Sequence, residues 1–318
     1  MILRLGQIEL FVTNLDASKH FYVDVLGFTE VERTAQSLYL KAVDEFDRYT
    51  LVLTEKKEAA LGSFGLRVSS PEHLEFLEKK HQEMGIETEW VHDSPHPGRG
   101  SILRVAEPNG HPVEFYHDME QIKVGQGVLG VDALPMRHTH LQNGIPPVRI
   151  DHMNIRVPSV DNALDYWQEI GFSISEYVQD GDEKYAAWTR AKTSTHDVAL
   201  VKHKEASLHH IAYVVDGVAA VVRTADLLAD AGYRDAVEYG PGRHGVTNAF
   251  FLYIKDPDGH RIEIYSGDYN RDQDLPPIGW TKEQYMEKGR LWWGPSVPES
   301  FVETTPITKD WVKPKITN

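Results

Sequence analysis

The feature that most constrains the fold of this chain is an internal repeat. Residues 7–28 (QIELFVTNLDASKHFYVDVLGF) and 152–172 (HMNIRVPSVDNALDYWQEIGF) both read as an alternating strand, a polar turn, a short helix and a closing Gly-Phe. Further matches join SFGLRV at 63–68 to HIAYVV at 210–215, and EPNGHPVEFY at 107–116 to DPDGHRIEIY at 256–265. Self-similarity over this length marks a duplicated folding unit. The sequence therefore predicts two homologous halves.

The elements of each half indicate the fold class. Short strands alternate with two helices in each copy, which predicts an α+β fold of paired βαβββ modules in two homologous domains. The predicted division is 1–120 and 149–268 for the two domains, with a Gly- and Pro-containing connector at 121–148. Residues 269–318 form a tail that we expect to wrap the body, because its tryptophans are costly to leave in water. These tryptophans are Trp280, Trp292, Trp293 and Trp311.

Composition narrows the class of protein. Hydrophobic residues make up 41% of the 318 residues, and no apolar run is long enough to cross a bilayer. The start, MILRLGQIELFV, lacks the features of a signal peptide, so we expect a cytoplasmic protein. The formal net charge of -15 argues against nucleic acid and membrane surfaces as partners. With no cysteine in the chain, any metal must be held by His, Asp or Glu.

One predicted strand pair carries an unusual carboxylate. FFLYIK at 250–255, a turn at DPDG and RIEIY at 261–265 predict a strand, a tight turn and a second strand. Glu263 lies between two isoleucines, and a carboxylate near a core needs a cation or a metal as its partner. The alternative is that Glu263 simply faces solvent across an amphipathic strand.

The two halves share this carboxylate but differ at two equivalent strand positions. The second half has His152, His210 and Glu263 at three equivalent strand positions, whereas the first half has Gln7, Ser63 and Glu114. Two neutral imidazoles and one carboxylate bind Fe(II) or a similar divalent ion on one face and leave the other face open for substrate and dioxygen. The second half is therefore predicted to hold the metal.

The chain also resembles a known family. The segments IDHMNIRV (150–157), YAAWTR (185–190), THDVAL (195–200), LHHIAY (208–213), GPGRHGVTNAFFLYIKDPDGHRIEIY (240–265) and GRLWWG (289–294) carry the resemblance. They are similar to the type I extradiol ring-cleaving dioxygenases of the vicinal oxygen chelate superfamily, in particular the homoprotocatechuate (3,4-dihydroxyphenylacetate) 2,3-dioxygenases. The resemblance implies cleavage of an ortho-diphenol by dioxygen to a muconic semialdehyde, with Fe(II), or alternatively Mn(II), as the cofactor.

The resemblance implies roles for residues beyond the three ligands. His196 matches an acid/base histidine, Tyr253 a tyrosine that hydrogen bonds to a substrate oxygen, and Asn154 an asparagine that faces the ring. Trp188 matches an aromatic wall beside the substrate. The alternatives are a surface histidine, a structural strand tyrosine and a core tryptophan. His209 is adjacent to a ligand in a strand, so we expect its side chain on the opposite face, in a structural role.

The match is uneven where the substrate carboxylate would bind. The chain keeps Arg243, His244 and Arg290 as candidate contacts, but it has Tyr239 and Gly289 where the family carries arginines. If the three retained residues suffice to bind a carboxylate, the substrate is 3,4-dihydroxyphenylacetate, which is favoured. If they do not, the alternative is catechol or an alkyl- or aryl-substituted catechol. A glyoxalase-like isomerase or a binding protein is a further alternative of the same fold. A homo-oligomer is expected, and a tetramer is plausible for such folds.

Overall fold

The structure, a computed structural model, describes residues 1–121, 144–145, 147–272 and 274–309. Most of the predicted connector, residues 122–143 and 146, lies outside the described residues, as does Trp311 of the tail. None of the helices in the described part of the chain is both long enough and apolar enough to span a membrane.

Strands dominate the described residues. The strands are β1 (Ile2–Val12), β2 (Thr29–Arg33), β3 (Ser37–Lys41), β4 (Leu51–Glu55), β5 (Ala60–Val68), β6 (Thr88–Val91), β7 (Ile102–Ala106), β8 (Pro112–Tyr116), β9 (Arg149–Val157), β10 (Ser173–Asp180), β11 (Glu183–Arg190), β12 (Val198–Lys202), β13 (Ser207–Val214), β14 (Val237–Arg243), β15 (Phe250–Lys255), β16 (Arg261–Ser266) and β17 (Ile278–Thr281). The helices are α1 (Leu15–Lys19), α2 (Pro71–Glu83), α3 (Val160–Glu169), α4 (Val218–Asp230) and α5 (Lys282–Gln284). Shorter π-helical and 3-10 turns follow at His20–Val25, Arg234–Ala236, Tyr285–Gly289 and Glu299–Val302.

Each half forms one mixed sheet from two βαβββ modules. The first sheet has the order β2-β3-β4-β1-β5-β8-β7-β6, and the second has the order β14-β15-β16-β13-β9-β12-β11-β10-β17. The two modules of each half meet where β1 pairs with β5 and where β9 pairs with β13, both antiparallel. The α+β class and the paired modules predicted from the repeat are confirmed.

Local sequence signals explain where the elements begin and turn. The Asn14 side chain accepts hydrogen bonds from the first turn of α1, and Ser159 caps α3 in the same way. The predicted strand pair at 250–265 is confirmed as β15 and β16, joined by a turn in which Gly259 adopts a φ of 84°. That turn aligns the two strands so that Tyr253 pairs with Glu263.

The halves share one hydrophobic core. Phe64 of the first sheet stacks on Trp167 of α3 at a centroid distance of 6.3 Å, and both are fully buried. Polar contacts also cross between the halves: the Tyr22 hydroxyl donates to Asp256, and the backbone N–H of Leu5 donates to Asp197 at 2.9 Å. These buried contacts hold the strands of the second half against the first.

The tail packs on the body, but not through all of its tryptophans. β17 adds to the second sheet beside β10, and Thr305 pairs with Leu208 of β13. Trp280 is half-buried and donates its indole N–H to Glu176 at 2.7 Å. Trp292 and Trp293 are 60% and 50% exposed, so the expectation that they would be buried was wrong. Backbone pairing, rather than burial of these indoles, attaches this part of the tail.

Candidate metal centre and active-site pocket

Three neighbouring strands bring the predicted ligands together. His152 lies on β9, His210 on β13 and Glu263 on β16, and these strands are adjacent in the sheet. Ala212 pairs with both His152 and Glu263, so these two residues stand at one level across the sheet. Side chains at equivalent levels of adjacent strands point to the same face. The spacing in the sequence therefore becomes a single cluster.

The cluster has the geometry of a metal site. His152 Nε2 lies 3.1 Å and His210 Nε2 3.2 Å from the same oxygen of Glu263, Oε2. One candidate ligand atom from each residue falls within 4.8 Å of the others, and all three side chains are buried. Two imidazole nitrogens and one carboxylate oxygen form the donor set that suits Fe(II) and related divalent ions. The residues present therefore fit a divalent metal.

Charge within the cluster is balanced by a proton when no metal is bound. Burial lowers the pKa of His152, but its hydrogen bonds to Asp151 and Glu263 outweigh burial and raise the pKa to about 9. Burial lowers the pKa of His210 to about 4, against the effect of Glu263. Burial raises the pKa of Glu263, but the adjacent His152 and His210 hold that pKa well below its usual range. A metal that binds here would therefore displace a proton from His152.

Asp151 hydrogen bonds to His152, on the side of its ring away from Glu263. Its Oδ2 accepts a hydrogen bond from His152 Nδ1 at 2.9 Å, while Lys192 Nζ lies 3.1 Å from its other oxygen. Metal-binding histidines generally donate their second ring N–H to such a partner, which fixes the tautomer and the orientation of the ring. Asp151 thus directs Nε2 of His152 toward Glu263.

His209 supports the second ligand, contrary to the prediction that it would point to the opposite face. A β-bulge interrupts the pairing of β13 with β9, because Leu208 pairs with Ile155 and His210 with Asn154. The extra residue, His209, is rotated toward its neighbour, and its Nδ1 lies 2.7 Å from Nδ1 of His210. Its Nε2 donates to the carbonyl of Phe301 in the tail at 2.8 Å. Since that carbonyl can only accept, Nδ1 of neutral His209 accepts from His210.

His196 lies against the cluster. It stands in the loop before β12, with its ring centroid 3.8 Å from that of His152. Its Nδ1 is 2.9 Å from the Thr195 hydroxyl. Burial, reinforced by the nearby His152, lowers the pKa of His196 well below its usual value. The imidazole is therefore neutral at pH 7 and can take up a proton from a group beside it.

Tyr253 and His244 form a hydrogen-bonded pair beside Glu263. The Tyr253 hydroxyl lies 3.0 Å from His244 Nε2, and His244 Nδ1 donates to the carbonyl of Arg290. Burial and the nearby Glu263 raise the pKa of Tyr253 well above its usual value, so the phenol stays protonated. Burial also lowers the pKa of His244, so this imidazole is neutral rather than a cation for a carboxylate.

Of four other predicted residues, three line the pocket and one lies outside it. Asn154, Trp188 and Arg290 line the same pocket as the three candidate ligands. Arg243 does not line it: its Nη1 donates to the carbonyl of Asn248 at 2.8 Å, and its guanidinium lies over the ring of Phe250. The prediction that Arg243 contacts substrate is therefore wrong. The next residue, His244, follows the end of β14 and lines the pocket.

The pocket also contains residues that were not predicted. Arg156 lines it, as do Tyr285 and Phe301 of the tail and a set of smaller neighbours: Val201, Val246 and Thr247. Arg156 could have been found from the sequence, since it follows His152 and Asn154 at intervals of two residues in one strand. The tail residues carry no comparable periodic signal. The tail thus forms one wall of the pocket.

The two positions that depart from the family have different surroundings. Tyr239 is buried behind Tyr253, with the two rings nearly parallel at a centroid distance of 5.8 Å. Gly289 accepts hydrogen bonds from the backbone of Gly245 and Val246, and an added Cβ there would lie 3.0 Å from the Tyr285 ring. A side chain at position 289 would therefore require Tyr285 to move.

Comparisons with known proteins agree with this geometry. The profile of the Glyoxalase/Bleomycin resistance protein/Dioxygenase superfamily matches residues 4–115 and 149–264. The manganese-dependent 2,3-dihydroxybiphenyl 1,2-dioxygenase of Geobacillus genomosp. 3 is 33% identical over 311 residues, which cover 93% of this chain and 95% of that protein. A metapyrocatechase of Geobacillus stearothermophilus is 30% identical over 330 residues, covering 98% of this chain and 97% of that protein.

A solved structure is similar over nearly the whole length. The homoprotocatechuate 2,3-dioxygenase of Brevibacterium fuscum, in its anaerobic complex with 3,4-dihydroxyphenylacetate, superposes with a TM-score of 0.88. Its sequence is 38% identical, and the match covers 96% of this chain and 93% of that chain. The chain therefore belongs to the Glyoxalase/Bleomycin resistance protein/Dioxygenase superfamily, and within it to the metal-dependent extradiol dioxygenases.

Proposed function

We propose that this extradiol dioxygenase cleaves a catechol that carries a carboxylate, with 3,4-dihydroxyphenylacetate as the favoured substrate. The single observation that carries the proposal is one pocket that holds a two-histidine, one-carboxylate cluster together with His196, Tyr253 and the cation Arg290. Similarity to a structure solved with 3,4-dihydroxyphenylacetate supports the same substrate class. Both atoms of dioxygen enter the ring-opened semialdehyde, so no external reductant is needed.

His152, His210 and Glu263 are the proposed metal ligands. Fe(II) is the favoured ion, and Mn(II), on which a relative depends, is the alternative. When bound, the ion supplies Lewis acidity toward the two catechol oxygens and a position at which dioxygen meets the ring. Asp151 and His209 hold the two imidazoles in the tautomer that presents Nε2 to the ion.

The proposed proton chemistry rests on His196 and Tyr253. Burial and the nearby His152 keep His196 a neutral imidazole, which could accept a proton from a catechol hydroxyl that a bound divalent ion would make more acidic, and return it to an oxygen of the product. Tyr253, whose pKa is raised by burial and Glu263, stays protonated and donates a hydrogen bond to a substrate oxygen. In the structure His244 Nε2 accepts the single proton of this hydroxyl, because its Nδ1 donates to the Arg290 carbonyl, so the O–H is proposed to turn from His244 to the substrate oxygen when substrate binds. Asn154 and Trp188 are proposed to contact the ring.

Plain catechol is the alternative substrate, supported by similarity to a metapyrocatechase. Tyr239 and Gly289 stand where the family carries arginines, and fewer cations in the pocket would favour this uncharged alternative. At Gly289, however, the absence of a side chain follows from close packing against Tyr285, so this glycine says little about the charge of the substrate. Arg290 remains in the pocket, and its buried Nε has no hydrogen-bond partner among the described residues.

The test is an aerobic assay of protein loaded separately with Fe(II) and with Mn(II). We expect kcat/KM for 3,4-dihydroxyphenylacetate to exceed that for catechol and for 2,3-dihydroxybiphenyl, measured by the rise of the yellow product. A preference for catechol would refute the substrate proposal. The Glu263→Gln variant is the control: we expect loss of metal content and of turnover, and retention of metal would refute the ligand assignment.

We also propose that the protein acts as a homo-oligomer, for which a tetramer is plausible. The consecutive residues Trp292 and Trp293 are both exposed and offer apolar surface for a contact. Size-exclusion chromatography with light scattering measures the mass directly, and a monomer of 36.1 kDa would refute this proposal.

A further inference from the structure

A second arginine of the pocket, Arg156, lies on the strand that carries the first metal ligand. His152, Asn154 and Arg156 alternate along β9 and line the same pocket. Their register with β12 is unbroken, with Arg156 opposite Val201, which is another pocket residue. At about 3.3 Å per residue, the Cα of Arg156 lies roughly 13 Å from that of His152. Arg156 therefore stands beyond Asn154, away from the metal cluster.

The guanidinium of Arg156 is unusual because no described residue forms an ion pair or a hydrogen bond with it. Its Nε is buried and has no hydrogen-bond partner among the described residues. The groups that act on its charge are Tyr285, Tyr185, Tyr253 and the cation Arg261. Burial lowers the pKa of Arg156 to about 10, so it still carries its proton at neutral pH. A partly buried cation without a counter-ion is costly in free energy.

Arg261 shows what a structural arginine in this half looks like. It is buried, and it forms two hydrogen bonds with Glu238, at 2.5 and 2.9 Å. It also donates to the backbone carbonyls of His209, Ser300 and Glu303. Arg156 has none of these partners among the residues that the structure describes. The contrast indicates that Arg156 is kept for a ligand rather than for the fold.

Arg290 approaches the same pocket from the tail, and its Nε also has no partner among the described residues. The pocket thus combines two guanidinium groups, one from a central strand and one from the tail, with a metal cluster that itself includes the anion Glu263. A catechol bound at the cluster would share this one pocket with both cations. Two arginines can bind one carboxylate through several charged hydrogen bonds.

We propose that Arg156 is a specificity residue that, together with Arg290, binds the carboxylate of the catechol substrate. This inference rests on the proposed function, since it assigns the second contact of the same site. This contact restricts the substrate class to catechols that carry an anionic group on a short side chain, attached on the side of the ring away from the two hydroxyls. A catechol with an alkyl group at that position would leave both guanidinium groups without a counter-ion.

The test measures the kinetics of Arg156→Met and Arg156→Lys on two substrates, 3,4-dihydroxyphenylacetate and 4-ethylcatechol. The second substrate has a methyl group in place of the carboxylate of the first. We expect Arg156→Met to raise KM for the carboxylated catechol roughly 10- to 100-fold, the loss of one charged hydrogen bond. For 4-ethylcatechol kcat/KM should stay within about 3-fold, and Arg156→Lys should recover part of the loss because it keeps the charge. Arg223→Met, which removes an exposed arginine of α4, is the matched control.

Calorimetry separates this inference from the proposed function. Anaerobic titration of Mn(II)-loaded protein with each catechol measures binding without turnover. Weaker binding of the carboxylated catechol alone in Arg156→Met supports the inference even if the parent protein turns over neither compound, an outcome that would refute the function only. Equal losses for both catechols, or no loss for either, would overturn the role of Arg156.

Discussion

Replacement of His209 by phenylalanine tests how the second metal ligand is oriented. The wild-type side chain links Phe301 of the tail to His210: its Nε2 donates to the carbonyl at 2.8 Å, and its Nδ1 accepts from His210 Nδ1 at 2.7 Å. Phenylalanine keeps the ring and removes both nitrogens. The variant therefore loses the hydrogen bonds while it retains most of the packing against the Phe301 ring, 4.6 Å away.

The expected magnitude follows from what the variant leaves unpaired. Without His209, no other described residue accepts the proton of His210 Nδ1, and the Nε2–H tautomer competes with metal binding. Loss of such a supporting partner lowers metal affinity about 10- to 100-fold, which corresponds to roughly 1.4 to 2.7 kcal/mol. His209→Gln should recover part of this affinity, because its amide has a donor for Phe301 and an acceptor for His210.

The assay is a titration of metal-free protein with Mn(II), in which the free ion is followed by electron paramagnetic resonance. The expected order of dissociation constants is wild type, then His209→Gln, then His209→Phe. His203→Phe is the matched control, since His203 is half-exposed and, among the described residues, its side chain hydrogen bonds to the backbone of Glu205. An unchanged dissociation constant in His209→Phe, or an equal change in His203→Phe, would refute the proposed link from the tail to the metal.

Three further predictions concern other parts of the molecule. His196→Asn should slow turnover and leave metal content intact, as measured by stopped-flow mixing with dioxygen and by elemental analysis; loss of metal would contradict its role as a proton carrier. Burial raises the pKa of Glu9 to about 7, above the 4.5 of the unfolded chain, so the folded state binds the extra proton and stability falls by roughly 3 kcal/mol as pH rises from 4.5 to 7. In Glu9→Gln, thermal unfolding should lose this pH dependence, whereas an unchanged slope would assign it elsewhere. Arg99→Leu should cost up to roughly 3 kcal/mol, less than the full loss of a buried ion pair, because buried Glu114 keeps Arg104 Nε at 2.9 Å; hydrogen exchange should accelerate in β1, β5 and β8, with β9, β13 and β16 as the internal reference, and equal protection in both sets would refute it.

The cluster of candidate ligands was predictable because two regular patterns coincide there. The repeat aligns Gln7 with His152, and strand alternation carries a residue's face along the chain, so equivalent positions of β9, β13 and β16 must meet in the folded sheet. Asn154 followed from the same alternation. Arg156 obeys the rule as well, although the family motifs that mark Arg243, His244 and Arg290 as candidate cations do not mark it.

Local irregularities limited the prediction elsewhere. The bulge at His209 breaks the alternation on which its predicted orientation depended, and nothing in the sequence LHHIAY marks the extra residue. Arg243 and His244 are adjacent, so only one of them can face the pocket, and motif matching could not say which. The tail reaches the pocket through single residues, such as Tyr285 and Phe301, whose spacing has no period.

The first half shows why only one copy of the repeat is suited to metal chemistry. Where the second half has His152 and Glu263, the first has Gln7 and Glu114, and the guanidinium of Arg99 lies between them, with Nη1 2.7 Å from an oxygen of each. The Arg99 side chain is fully buried. Both halves thus place a buried carboxylate at the same position in the sheet, and each must supply a cation there. The first half supplies the guanidinium groups of Arg99 and Arg104, which are covalently attached, so Glu114 needs no ion. In the second half the groups beside Glu263 are His152 and His210, whose imidazole nitrogens can bind a divalent ion together with this carboxylate.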